Sequence, residues 1–174
     1  MSKDVLLLID IQKEYNTETR PFYIEGIEYS LKNAKKLLEN ARENNWEVIH
    51  VKHIQNGSMF SNDSEYSDYI DGFSPRKNER EFIKNNFSCF SNPQFSEILQ
   101  KLVDSNIMII GYGSTMCVLS TIIEGYHRGN KITFVHDASN AKADANKSEL
   151  EIHSVMTSVL SRFAKIISAD DILS

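Results

Sequence analysis

The sequence predicts an α/β fold, a single-domain, doubly wound (Rossmann-like), mostly parallel six-stranded sheet with helices on both faces. Three observations predict it. Short apolar runs alternate with amphipathic stretches along the whole chain, the signature of repeated strand–helix units. The first of these runs, Val5 to Ile9, is continuously apolar rather than alternating, as expected of a strand covered on both sides. With 174 residues, 41% apolar and 25% charged, the chain can bury one substantial core and shows no bias toward disorder.

The elements follow in order. After Val5 to Ile9, Ile27 to Asn45 reads as a helix, because Leu31, Ala34, Leu37, Leu38 and Ala41 form one stripe. Trp46 to Val51 is a second strand. A polar stretch from His53 to Glu79 follows, and a segment of that length inside a compact domain usually covers a site. Glu81 to Lys84 is a short third strand. Pro93 to Asn106 reads as a helix with Pro93 near its start and Phe95, Ile98, Leu99 and Leu102 inward. Ile107 to Gly111 is a fourth strand and Thr115 to Arg128 the helix after it. Gly129-Asn130 ends that helix, Lys131 to His136 is a fifth strand, Asn146 to Arg162 a helix, and Ala164 to Ile167 the last strand.

Several functional classes are excluded by bulk properties. A net charge of -5, with basic pairs only at Lys35-Lys36 and Arg76-Lys77, argues against a nucleic-acid partner. The start Met1-Ser2-Lys3-Asp4 leads straight into a short strand, and no apolar segment has the length of a leader or a membrane span. Two cysteines, Cys89 and Cys117, form no disulfide framework and no zinc-type cluster, so a cytoplasmic setting with free thiols is expected. A small molecule is the expected partner.

Chemistry concentrates at strand ends. Cys117 lies where the run Ile109-Ile110-Gly111-Tyr112-Gly113 reopens as a helix, and a helix start favours a thiolate. Gly113 lets backbone amides converge beside it, as an oxyanion hole requires. Asp10 ends a buried strand, where an unpaired carboxylate would cost several kcal/mol, roughly. In a doubly wound sheet the first and fourth strands are neighbours, which puts Asp10 and Cys117 at one crevice. Lys84 follows an apolar pair, and an ammonium near the thiol would lower its pKa below the free value of about 8.5. His50, His53, His127, His136 and His153 are scattered without metal-ligand spacing. No dinucleotide fingerprint or P-loop occurs, so no cofactor is expected.

Together these segments resemble the isochorismatase-like cysteine hydrolases, a family that includes nicotinamidases and N-carbamoylsarcosine amidases. Leu8-Ile9-Asp10-Ile11-Gln12 is similar to its opening motif, Ile83-Lys84 with Ser88-Cys89-Phe90 to its lysine segment, Gly111 through Val118 with Thr121 to its cysteine block, and Val135-His136-Asp137-Ala138 with His153 to its closing segment. The resemblance implies Cys117 as nucleophile, Asp10 as base and Lys84 stabilising the thiolate. It further implies an oxyanion hole from the Gly113 and Cys117 amides, a cis peptide at Tyr112–Gly113, and a homo-oligomer. Ser114, Cys89 and Tyr15 stand where the family pattern has threonine, alanine and phenylalanine. The nicotinamidase Asp-x-His metal motif is absent, with His50-Val51-Lys52-His53-Ile54-Gln55 in its place, so no metal is expected.

The function expected on this basis is hydrolysis of a C–N bond, amide or ureido, in a small molecule through a thioester. Tyr15, Phe60, Phe90 and Tyr112 are the expected pocket walls, suited to a small, flat or apolar substrate. Two alternatives stay open: a non-enzymatic module that binds a small molecule or partner in the sheet crevice, and vinyl-ether hydrolysis with Asp10 as acid.

Overall fold

The computed structural model describes residues 4–174; the chain start at Met1, Ser2 and Lys3 lies outside them. In chain order the elements are β1 (Val5–Ile9), α1 (Ile27–Glu43), β2 (Glu47–His53), β3 (Arg80–Lys84), α2 (Pro93–Lys101), β4 (Asn106–Tyr112), α3 (Cys117–His127), β5 (Lys131–Asn140), α4 (Glu149–Leu160), β6 (Lys165–Ile167) and α5 (Asp170–Leu173). The six strands lie in the order β3-β2-β1-β4-β5-β6. Every adjacent pair is parallel. The α/β architecture read from the sequence is therefore the observed one.

β1 shows how the sequence builds two layers. All five of its residues are buried. Successive side chains point to opposite faces of a strand. Leu6 and Leu8 thus pack with Ala34, Leu37, Leu38 and Ala41 of α1, while Val5, Leu7 and Ile9 pack with Phe95, Leu99, Val118 and Ile122 of α2 and α3. The chain leaves β1 toward β2 and β3, then returns on the other side to form β4. The crevice at the carboxyl ends of β1 and β4 is the topological switch point, where open α/β sheets place their ligands.

Several element ends move by one to three residues, with β2 running on to His53 and α4 starting at Glu149, and three elements differ more from the sequence reading. α2 stops at Lys101 rather than Asn106, because Asn106 is needed in β4 opposite Lys131. β5 runs on past His136 to Asn140, re-pairing Gly111 with Ser139 and Tyr112 with Asn140 after an irregularity. The polar residues Asp137, Ser139 and Asn140 hide that extension from an apolar-run reading. The short helix α5, where Asp171 caps back onto Ser168, carries no apolar stripe long enough to announce itself.

The polar stretch between β2 and β3 contains a single 3-10 turn, Glu65–Ser67, and one isolated antiparallel bridge between Gln12 and Tyr69. It still delivers Phe60, Ile70 and Phe73 to the core. α4 opens with a capping box between Ser148 and Glu151 and buries only Leu160, leaving Leu150, Val155 and Val159 exposed. Among the described residues no helix is long and apolar enough to cross a membrane.

Candidate active site

Asp10 follows β1 directly and takes φ 53, a left-handed conformation uncommon outside glycine. Its amide donates to Val51 O at 2.8 Å and its carbonyl accepts from Gln12 N at 2.8 Å, closing a tight turn. Such a backbone costs roughly 1–3 kcal/mol and persists where the surroundings enforce it. The turn sends the fully buried carboxylate into the crevice.

Lys84 is the last residue of β3 and pairs in register with His53, the last residue of β2. Its side chain crosses the end of β2 to reach β1. The ammonium donates to Asp10 Oδ2 at 2.9 Å, to Cys117 Sγ at 3.2 Å and to His53 Nδ1 at 3.2 Å. An ammonium has three N–H donors, and here each has an acceptor. The structure thus brings Asp10, Lys84 and Cys117 together, with the Lys84 and Asp10 side chains wholly inaccessible.

Burial opposes the charge on Lys84, but the carboxylate of Asp10 and the neighbouring sulfurs outweigh it, holding the ammonium above the ordinary lysine range. Burial pushes the Cys117 thiol up and the Asp10 charge pushes it further, while Lys84 offsets only part of this. The sequence reading expected a lowered thiol. The reversal has a physical cause: the thiol sits in a nearly closed space beside a carboxylate, not only beside a cation. Asp10 Oδ1 is buried without a hydrogen-bond partner among the described residues.

Cys117 is the first residue of α3, so its amide has no intrahelical acceptor. The chain reaches it through Gly113 at φ 74, whose carbonyl accepts from Met116 N at 2.8 Å and Val118 N at 3.0 Å. Upstream, a β-carbon on Gly111 would stand 2.0 Å from Ile9 O, so only glycine lets β4 lie this close to β1. Every peptide bond among the described residues is trans, Tyr112–Gly113 included; the positive φ of Gly113 makes the turn without a cis bond. Ser114 Oγ lies 3.2 Å from His153 Nδ1, and His153 Nε2 donates to His136 O at 2.8 Å, tying the loop to β5. Burial holds His153 below its ordinary range, which leaves Nδ1 free to accept.

A cavity of about 30 Å³ opens onto Cys117, walled by Tyr15, Phe22, His53, Gln55, Phe60, Phe87 and Met116. Tyr15 and Phe60 are where the sequence reading expected them. Phe90 and Tyr112 are not. Phe90 packs edge-on against Phe95 at 5.2 Å, on the α2–α3 side of the sheet. Tyr112 is one layer behind the wall, its ring 5.4 Å from Tyr15 and its hydroxyl 3.1 Å from Ser30 Oγ. Phe22 and Phe87 replace them, both on irregular segments whose side-chain direction periodicity cannot supply.

His53 and Gln12 are the residues that sequence reasoning undervalued. Gln12 Nε2 donates to His53 O at 2.9 Å and Ser67 O at 2.8 Å, while its Oε1 accepts from His53 N at 2.8 Å. The His53 ring is held at Nε2 by Gln55 Oε1 at 3.0 Å and edge-on by Phe60. Burial and the Lys84 charge keep it below its ordinary range, so Nδ1 remains an acceptor for the ammonium. The sequence reading ends β2 at Val51, and only the structure carries it on to His53, so the strand-end position that marks the residue was hidden. Among the described residues no three His, Cys, Asp or Glu side chains converge as a metal set.

The family model described as Isochorismatase domain matches residues 4–171. The chain belongs to the isochorismatase family. Its relatives include the Secreted isochorismatase effector Isc1 of Verticillium dahliae, 27% identical over 171 residues, covering 97% of this chain and 89% of that one. An isochorismatase from Pseudomonas putida superimposes with a TM-score of 0.90 at 27% identity, covering 98% of this chain and 90% of that one. A cysteine hydrolase from Pseudomonas syringae pv. phaseolicola shares the fold, with a TM-score of 0.88 at 20% identity over 98% of this chain and 90% of that one. This isochorismatase-family chain is accordingly a hydrolase.

Proposed function

We propose that this isochorismatase-family hydrolase cleaves the C–N bond of a small amide or ureide through a thioester on Cys117. One observation carries the reading: a single buried ammonium, Lys84, bridges the Asp10 carboxylate at 2.9 Å and the Cys117 sulfur at 3.2 Å beneath an aromatic-walled cavity. The raised thiol implies that sulfur keeps its proton until attack. Asp10 takes that proton as the S–C bond forms, and Lys84 balances the charge that remains. The carbonyl electron pair moves to oxygen, which the amides of Gly113 and Cys117 receive. Asp10 then protonates the departing amine, and a water it deprotonates hydrolyses the thioester.

A cavity of about 30 Å³ holds roughly one water, so the walls must part for substrate. Phe87, 57% exposed, is the wall with least to hold it. Gln55 is shared with a groove of about 480 Å³ lined also by Lys84, Asn56, Asn85 and Asn92, which suits the neutral, hydrogen-bonding remainder of a ureide. The test is a panel of small amides and ureides assayed for ammonia release, with mass spectrometry for an acyl adduct on Cys117. A genuine substrate turned over undiminished by Cys117→Ala would reject the thioester.

The names of its relatives favour a second reading, hydrolysis of an ether-linked substrate such as isochorismate. In that chemistry Asp10 delivers a proton and sulfur is dispensable. Cys117→Ala separates the two readings directly.

A further inference from the structure

Three buried tyrosines differ in what their hydroxyls do. Tyr112 is paired with Ser30 Oγ at 3.1 Å and Tyr69 donates to Glu81 Oε1 at 3.0 Å. Tyr15 is only 2% exposed, and among the described residues its hydroxyl has no hydrogen-bond partner. Unlike Asp10 Oδ1 and His50 Nδ1, this oxygen is not fully enclosed, so the ring is buried while the hydroxyl stays open to a water or ligand. Tyr15 lines the cavity over Cys117.

Its aim can be read from Gly113. A β-carbon placed there would stand 3.3 Å from Tyr15 Oη and 3.4 Å from Cys117 N. The phenol oxygen and the free amide of α3 therefore border one space, open because residue 113 lacks a side chain. Rings of Phe22, Phe60 and Tyr112, with centroids at 6.0, 5.5 and 5.4 Å, hold the phenol in place. Donors fixed in advance around the position of a developing charge are the most effective arrangement for stabilising it.

We propose that Tyr15 Oη donates a hydrogen bond to the substrate oxygen that becomes anionic, as a side-chain member of the oxyanion hole beside Gly113 and Cys117. This rests on the thioester reading. As the S–C bond forms, the C=O electron pair passes to oxygen, and the phenol O–H stays intact throughout. Burial, with the charges of Asp10 and Cys117, keeps the phenol well above its ordinary range, so it remains a donor across working pH. The resemblance noted above implies phenylalanine at this position, where this chain carries a hydroxyl as well.

Two probes of Cys117 separate this role from any effect on sulfur. Benzaldehyde adds reversibly to a thiol, the thiol proton ending on the new hemithioacetal oxygen, which lies in the hole. Iodoacetamide alkylates the same sulfur by displacing iodide and creates no such oxygen. Tyr15→Phe keeps the ring, and thermal unfolding verifies that it folds. The expected result is benzaldehyde affinity weakened roughly ten- to a hundredfold, with the alkylation rate within about twofold of wild type. Equal benzaldehyde affinity overturns the proposal. So does a parallel loss in both probes, because Tyr15 then acts on the thiol. If wild-type Cys117 does not bind benzaldehyde at all, the thioester reading itself fails and takes this role with it.

Discussion

The two ends of β3 carry two buried charge clusters, and they are built to opposite ends. Glu79, just before the strand, accepts from Arg42 at 2.6 and 2.9 Å, from His50 Nε2 at 2.9 Å and from Arg76 N at 2.8 Å. Those partners hold its carboxyl down at about 2 although burial works the other way. Lys84, at the far end, is also fully engaged, but its partners are not: among the described residues Asp10 Oδ1 has no partner, and Cys117 opens onto a cavity. The Glu79 carboxylate is saturated and can do little except hold the fold together, although His50 Nδ1 in the same cluster is likewise buried without a partner among the described residues. An unsaturated one keeps acceptor capacity for a ligand, and its incomplete pairing is a cost that stability elsewhere must offset.

That contrast can be broken experimentally, the sharpest test first. Cys117→Ala should lower turnover of a true substrate by roughly 10³-fold or more, with little change in the urea midpoint. If stability fell while turnover survived, the two ends would have exchanged roles. Glu79→Ala should do the reverse, costing about 3 kcal/mol in urea unfolding, because Arg42 is left buried without its partner. Turnover per folded molecule should stay at the wild-type level.

Gln12→Ala, which strands the backbone N–H and C=O of His53, should cost about 2 kcal/mol and slow alkylation of Cys117 as Lys84 loses its fixed acceptor. Acid provides a graded version of the Glu79 experiment. Its folded-state pKa of about 2 lies below an unfolded value of about 4.3, so its stabilisation is complete above that range and is lost as pH falls toward 2. His50, held low by burial, has the same sign. Unfolding midpoints between pH 6 and 3 should therefore fall less steeply in Glu79→Gln than in wild type. The smallest effect belongs to Cys89→Ala. That thiol, pushed up to about 12 by burial, lies in the core beside Thr121. Its loss should cost about 1 kcal/mol and leave the alkylation of Cys117 unchanged.

Residue order along the chain carried much of this. Asp10, Lys84 and Cys117 each sit at the border of an apolar run, and strand-order rules put the first and third of them side by side. Lys84 was harder, since it reaches the crevice only by crossing the end of β2, and that reach depends on β3 pairing with β2 in one particular register. The same crossing gives His53 its contact with the ammonium, which no spacing along the chain reveals. Phe22 and Phe87 line the cavity while Phe90 does not, because aromatics on irregular segments point wherever packing leaves room.

Alternation of apolar runs and stripes by itself determined the α/β class and which residues end its strands, because burial on both faces of a sheet leaves its trace in local composition. Side-chain tips meeting from β1, β2, β3 and α3 were decided only by tertiary structure. So were the raised thiol and the partnerless phenol of Tyr15, since desolvation and hydrogen-bond satisfaction depend on everything that surrounds a group and not on its neighbours in the chain.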